Sequence, residues 1–178
     1  VESTAAPVVD DKLDDAVWKQ AAPLTMGTMT GRGRPSAATQ ALLLHHDGQL
    51  YLGFRLNEPS VDKLRRTVTK FDGPAYQDDS IEAFLSPRGG SSWCQFIVGA
   101  AGALADSKDR RREWNSGARH KVAIGKSGWS VELAIPFAAL GAGLQAPKRW
   151  RGNFYRNRHA GPRGENNAWS PTMRNMPL

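Results

Sequence analysis

The run ATQALLLHHDGQLYLGFRL, residues 38 to 56, constrains the fold more than any other part of the chain. Two apolar stretches flank Asp47 and Gly48, a pair that accepts the positive φ angles of a tight turn, so the segment predicts a β-hairpin. In its second strand Leu50, Leu52, Phe54 and Leu56 share one face and Tyr51, Gly53 and Arg55 the other, a period of two that makes one face core. Similar short runs recur at DSIEAFLS, WCQFIVG, GALADS, KVAIG, WSVELAI and GNFYRNR, separated by Gly, Pro, Ser or charged residues. Repeated short strands with turns between them predict an all-β sandwich or barrel.

Helical signals are brief. DDKLDDAVWKQAAPL (10 to 24) predicts one short amphipathic turn, with Asp14 as its cap and Trp18 as its inward anchor. PFAALGAG (136 to 143) predicts a turn or two of helix that starts at Pro136 and ends at its glycines. EPSVDKLRRTVTKFDGPAY (58 to 76) loses the period of two and predicts a long connection, with one helical turn at most, of the kind that often carries function.

With 178 residues, of which 40% are hydrophobic, the chain is long enough for one domain spanning 1–178. Its 18 glycines and 11 prolines are dispersed, which favours many turns over a disordered tract. The single cysteine, Cys94, excludes an intramolecular disulfide and any cysteine-rich metal site. No run of about 18 apolar residues is present, so no membrane span is expected. Opening at Val1 without a signal-like stretch, the chain reads as a mature or excised piece of a larger protein. The formal charge of +7 comes mainly from DRRRE (109 to 113) and KRWRGNFYRNRHAGPR (148 to 163). Such runs bind anions or stand solvated. Nucleic-acid binding by the second run is the less favoured reading and would show as affinity that falls steeply with salt.

The segment QDDSIEAFLSP (77 to 87) places carboxylates in a strand built to pair and pack. Ser80, Glu82, Phe84 and Ser86 share one face, and Ile81, Ala83 and Leu85 the other, so Glu82 can face a groove while its neighbours hold the core. Asp79 falls on the core side, where a carboxylate needs hydrogen-bond donors, and a structural role is expected of it. Asp78 and Glu82 would lie about 13 Å apart on a strand, too far for a glycosidase pair. No Ser/His/Asp set, phosphate loop or helical zinc motif supplies another catalytic signal, so the chain is read as noncatalytic. FDGPAYQDD clusters oxygen ligands compatible with a structural calcium ion but matches no defined loop. His45 and His46 are adjacent on a strand and point to opposite faces.

Six segments, VVDDKLDDAVWKQAAPL, LLLHHDGQLYLGFRLNEPS, YQDDSIEAFLSP, QFIVGAAGALADS, GWSVELAIPFAALG and WRGNFYRNR...NNAWSPT, resemble in order and spacing the family 9 carbohydrate-binding modules and related sandwich domains. The resemblance covers nearly the whole chain. It implies an antiparallel β-sandwich of jelly-roll type with one or two short helical turns. It also implies a noncatalytic saccharide-binding module, secreted, periplasmic or at a cell surface, attached to other domains that process polysaccharide. Members hold a sugar between two aromatic platforms and hydrogen-bond it with acidic, amide and basic side chains. By this resemblance Tyr76 is the first platform and Glu82 the sugar-contacting carboxylate. Tyr155 stands where the pattern has an amide, Ile97 where it has an arginine, and Gly99 where it has a polar residue. The second platform is expected shortly after WSPT, but MRNMPL has no aromatic, and Trp169 matches a tryptophan that is more often structural.

Trp93 and Trp114, in loop-like contexts, are the substitute rings expected, and Arg156 and Arg158, sharing a parity, are expected to point together into the groove toward hydroxyls or an acidic sugar. Trp18, Trp129 and Trp150 are expected in the core. Two alternatives remain: a spacer domain that has lost its sugar site, and a haem-binding sandwich, which needs a methionine with a histidine or lysine as axial ligands and for which Met26, Met29 and His159 are available.

Overall fold

The computed structural model describes residues 1–10, 12–87, 91–143 and 149–172. Among the described residues eleven strands form in chain order: β1 (Leu24–Thr25), β2 (Gly27–Thr28), β3 (Thr39–His46), β4 (Gln49–Asn57), β5 (Ser80–Pro87), β6 (Cys94–Gly99), β7 (Leu104–Lys108), β8 (Arg119–Ile124), β9 (Gly128–Pro136), β10 (Trp150–Arg158) and β11 (Glu165–Ala168). They pair into a five-stranded sheet, β1-β3-β4-β9-β8, and a six-stranded sheet, β2-β11-β10-β5-β6-β7. Every ladder between them is antiparallel. The result is a β-sandwich of jelly-roll type. Asp47 (φ 42) and Gly48 (φ 71) make the predicted turn between β3 and β4.

Between the sheets lie Leu50, Leu52, Phe54 and Leu56 from β4, Ile81, Ala83 and Leu85 from β5, Phe96 and Val98 from β6, Val131, Leu133 and Ile135 from β9, and Phe154 from β10. These are the alternating residues of each strand, as the period of two requires. Trp129 is buried among them, and Trp150 packs on the edge of the same core.

The outer faces of the two sheets differ. Over the five-stranded sheet the N-terminal segment lays Leu13, Trp18 and Ala21 against Leu42, Leu44, Tyr51 and Ala134. Gly53 makes this possible, because a Cβ there would stand 2.5 Å from Leu13 Cδ1 and 3.2 Å from the Trp18 ring. Trp18 Nε1 donates to Glu132 Oε1 at 3.2 Å. Over the six-stranded sheet the long connection packs Ala75 and Val68 against Ile97, Ala103 and Ala105 at the β6–β7 end, and among the described residues the rest of its outer face stays open.

The helical expectations need correction in detail. Ala16–Gln20 forms a 3-10 turn preceded by Asp15, not Asp14, and Asp15 turns back to accept from the Val8 N–H. Residues 136 to 143 form successive hydrogen-bonded turns (Ala139 N to Pro136 O, Gly141 N to Ala138 O) with no helix, while Phe137, Leu140 and Ala142 face the core. The long connection holds two 3-10 turns, Val61–Lys63 and Ala75–Gln77.

Candidate functional site

On the open face stand the outward residues of four strands: Glu82 and Phe84 of β5, Gln95 and Ile97 of β6, Tyr155 and Asn157 of β10, and Asn166 of β11. The register sets Glu82 directly opposite Ile97 on one side and Tyr155 on the other, with Asn157 opposite Ser80. A hollow of about 640 Å³ opens here, lined by Arg65, Tyr76, Gln77, Glu82, Phe84, Gln95, Ile97, Asn157, His159 and Asn166. Its size falls within the range of small-ligand sites.

The aspartates that open QDDSIEAFLSP build the wall of this hollow. Asp78, fully buried, accepts from the N–H groups of Thr67 and Val68, both at 2.6 Å, and from Thr67 Oγ1 at 2.8 Å. Asp79, also fully buried, accepts from Arg65 N at 2.9 Å, His159 N at 2.9 Å and Ala160 N at 3.3 Å. Backbone donors satisfy both carboxylates, which is the condition for burying them. They pin the long connection across the sheet and bring Tyr76 to the rim, 48% exposed. In FDGPAYQDD the carboxylates of Asp78 and Asp79 are thus occupied by protein donors. Among the described residues no group of three or more His, Cys, Asp or Glu side chains could hold a metal ion.

Glu82 is half-buried, with Oε2 accepting from Gln95 Nε2 at 2.8 Å and Oε1 from Asn157 Nδ2 at 2.7 Å. The two amides fix the carboxylate in one orientation beside the hollow, leaving lone pairs for hydroxyl donors. Next to it runs a strip of half-buried rings: Tyr155 stands edge-on to Phe84 at 5.4 Å between centroids, and Phe84 meets Trp93 at 5.6 Å. Burial raises the Tyr155 phenol above its ordinary range, against the hydrogen bond from Asn153. His159 Nε2 and Asn166 Oδ1, both in residues of the hollow wall, are buried without a protein partner.

Of the expected site residues, Tyr76, Glu82, Tyr155 and Trp93 share this face. Trp93 lines a second hollow of about 280 Å³ with Tyr76, Gln95, Ile97, Ala105, Asp106, Ser107, Arg110 and Arg112. Arg156 and Arg158 must be corrected. They share the parity of Phe154, which is core, and both point between the sheets with 0% and 2% exposure. There they grip Glu58: Arg156 Nη2 to Oε2 at 2.9 Å, Arg158 Nε to Oε2 at 2.6 Å and Arg158 Nη2 to Oε1 at 2.8 Å. Burial would raise the Glu58 carboxyl, but the Arg158 hydrogen bond, the Ser60 N–H and both guanidinium charges hold it below its ordinary range.

Trp114 also lies elsewhere, half-buried against the core with its ring edge-on to Phe96 at 6.1 Å and Lys108 Nζ 5.9 Å from its centroid. Phe96 faces inward, so Trp114 cannot serve the outer face. For the haem alternative, Met26 belongs to the intersheet core while His159 lines the outer hollow, so the two do not face each other. Residues 173–178, where a second platform was sought, lie outside the described residues; Trp169 is 41% exposed and packs on Phe154 at 6.0 Å.

Sequence reasoning missed Gln95, Asn157 and Asn166 and considered His159 only for haem; the alternation of Phe96 and Val98 in β6 points Gln95 outward, whereas Asn157 and His159 depend on the parity of β10. A further hollow of about 650 Å³ borders the far end of β4 and β9, but its one aromatic, Trp129, is buried.

No helix among the described residues is long and apolar enough to cross a membrane. No curated protein matches the chain. Among solved structures, a proposed carbohydrate-binding protein of Bacteroides uniformis ATCC 8492 is similar with a TM-score of 0.74 at 17% identity, covering 99% of this chain and 90% of that one. A family 9 carbohydrate-binding module of Caldicellulosiruptor kristjanssonii is similar in its cellotriose complex (TM-score 0.63, 17% identity, 94% of this chain and 80% of that one). Its glucose complex gives 0.67 at 17% identity, with 94% and 84% coverage. At such identities these likenesses speak for the fold. The profile of the family described as carbohydrate family 9 binding domain-like matches residues 9–160, and the chain belongs to that family.

Proposed function

We propose that this chain is a noncatalytic carbohydrate-binding module that holds a saccharide in the hollow beside Tyr76 and Glu82. The observation that carries the reading is a partly open sheet face where a half-exposed tyrosine, an amide-held carboxylate and two further amides surround one hollow. A pyranose ring has an apolar face that stacks on an aromatic ring and equatorial hydroxyls that need prearranged donors and acceptors. Among the described residues that line the hollow, Glu82 is the one carboxylate. Glycoside hydrolysis takes a pair, so binding is the chemistry this arrangement supports. The complexes of the Caldicellulosiruptor module with glucose and cellotriose support a saccharide ligand of the same class.

In this reading the module is one part of a larger secreted or cell-surface protein and delivers it to polysaccharide. Calorimetric titration against a panel of oligosaccharides tests it. Tyr76→Ala should weaken binding about tenfold, the worth of one stacked ring, and Glu82→Gln should weaken it further, with thermal stability unchanged in the exposed Tyr76 variant. A panel without any ligand, or a Tyr76→Ala variant that binds like wild type, would leave the spacer reading.

A further inference from the structure

The second hollow adjoins the first, sharing Tyr76, Gln95 and Ile97 with it, but its chemistry differs. One wall carries Arg110 and Arg112, both exposed, and neither has a hydrogen bond or ion pair with any described residue. Their turn is tied to the aromatic strip. Asp109 Oδ1 accepts from Trp93 N at 2.9 Å, and Asp109 Oδ2 from Ser92 Oγ at 2.8 Å, so the ring and the arginines are held on one rigid corner. Arg110 itself has a left-handed backbone (φ 69) directly after Asp109 (φ 51), an arrangement a long side chain rarely adopts. Of the acidic groups nearby, Asp109 is occupied as described, while Asp106, 4% exposed and in the wall of this hollow, accepts at Oδ2 from Ser116 N and Oγ at 2.9 and 2.5 Å and keeps Oδ1 without a partner among the described residues.

The geometry points to a second subsite that takes the carboxylate of a uronic-acid residue, next to a neutral residue seated at Glu82; this rests on the saccharide reading above. The two hollows impose a polarity on the ligand. An anionic sugar at Glu82 would meet a like charge, whereas hydroxyls suit that carboxylate and its amides. At the other end two guanidiniums without a partner among the described residues outnumber the one carboxylate of that wall, Asp106, and present planar forks that match the two oxygens of a carboxylate. Trp93 supplies the stacking surface between them, and the hollow of about 280 Å³, just under the usual range for a whole small-ligand site, suits a single sugar residue. The overall charge of +7 would favour any polyanion, so the test must separate this corner from the general field.

The experiment compares, by titration calorimetry at low salt, neutral oligosaccharides with their uronate-bearing counterparts and with sulfated ones. The uronate ligand should bind about tenfold more tightly than its neutral counterpart, a gain in keeping with two exposed charge-assisted contacts. Arg110→Gln/Arg112→Gln should remove that advantage and leave neutral binding intact. A control, Lys121→Gln/Lys126→Gln, takes the same charge from the five-stranded-sheet side and should change little. Equal affinity for neutral and uronate ligands, an advantage that survives the arginine substitutions, one lost equally in the lysine control, or preference for sulfated sugars alone would each overturn the assignment. If neutral sugars still bind and Glu82→Gln abolishes them, only this subsite falls. If no sugar of any class binds, the saccharide reading falls with it.

Discussion

Substituting Glu58 tests the buried cluster that the sequence most misleadingly presents as a ligand site. Glu58 is fully buried, and its two oxygens receive Arg156 Nη2 at 2.9 Å, Arg158 Nε at 2.6 Å, Arg158 Nη2 at 2.8 Å and Ser60 N at 3.0 Å. Arg156 has other partners, Thr39 Oγ1 and Asn57 O, both at 3.0 Å, but these are neutral. Its burial pushes the guanidinium down to about 10 even with Glu58 beside it, a measure of how costly that charge is in place. Arg158 moves the other way, raised chiefly by its hydrogen bond to Glu58. Glu58→Gln leaves two guanidiniums between the sheets with Glu165, 3.8 Å from Arg158, and Asp79, already held by backbone donors, as the opposite charges that act on them. Breaking a buried pair from one side costs about 3–5 kcal/mol, a large part of a total stability of roughly 5–15 kcal/mol.

For a domain of this size that loss lowers Tm by roughly 2–4 °C per kcal/mol, so scanning calorimetry should show a drop of about 10 °C. The combined variant Glu58→Leu/Arg156→Met/Arg158→Met should recover most of it, because replacing a whole buried cluster with apolar side chains is often neutral or better. A Glu58→Gln protein within about 1 kcal/mol of wild type by denaturant titration would refute the reasoning. It would mean that these guanidiniums reach water and are not held by Glu58.

Two further outcomes follow from local geometry and charge. Gly128→Ala sets a Cβ against the Leu56 carbonyl oxygen and 3.2 Å from Asn57 Cα, backbone that cannot yield, so a loss of about 1–3 kcal/mol in chemical denaturation is expected. Glu58 and Glu165 both titrate below their ordinary value of 4.5 in the fold; for Glu165, hydrogen bonds from Ser36 and Asn167 and the Arg158 charge outweigh burial. Depressed carboxylates add stability above that ordinary value and lose it as pH falls through their lower native values. Tm should therefore hold near neutrality and fall below about pH 4.5, and the fall should be shallower in Glu58→Gln.

The fold was legible wherever apolar residues alternate with polar ones. Leu50 to Leu56 announces which face of β4 is core, and Ile81, Ala83 and Leu85 do the same for β5. From these the outward place of Glu82 follows by parity alone. In β10 the signal fails, because FYRNR offers an aromatic to each face, Phe154 to one and Tyr155 to the other, and arginines are expected outside. What settles the parity is Glu58, which is 98 residues from Arg156 in the chain. No local pattern can reveal a carboxylate at that separation waiting between the sheets. The same limit applies to Trp114, whose loop composition reads as exposed until Phe96 covers one side of it.

The inversion of β10 bears on the site itself. With Arg156 and Arg158 anchored inward, the residues between and beside them, Tyr155 and Asn157, must point outward, and Asn157 is one of the two amides that hold Glu82. The buried cluster thus fixes the strand that supplies a wall of the hollow, so Glu58→Gln should weaken saccharide binding as well as stability. Meanwhile the five-stranded sheet has the middle of its outer face covered by Leu13 and Trp18 over Gly53, with a hollow at the far end of β4 and β9. The six-stranded sheet leaves the half-buried rings Phe84, Trp93 and Tyr155, with the half-exposed Tyr76 beside them, on its outer face, whereas the aromatics Trp18 and Tyr51 on the outer face of the other sheet are buried. That asymmetry, more than any single residue, locates the place where a ligand with an apolar face would gain most by binding.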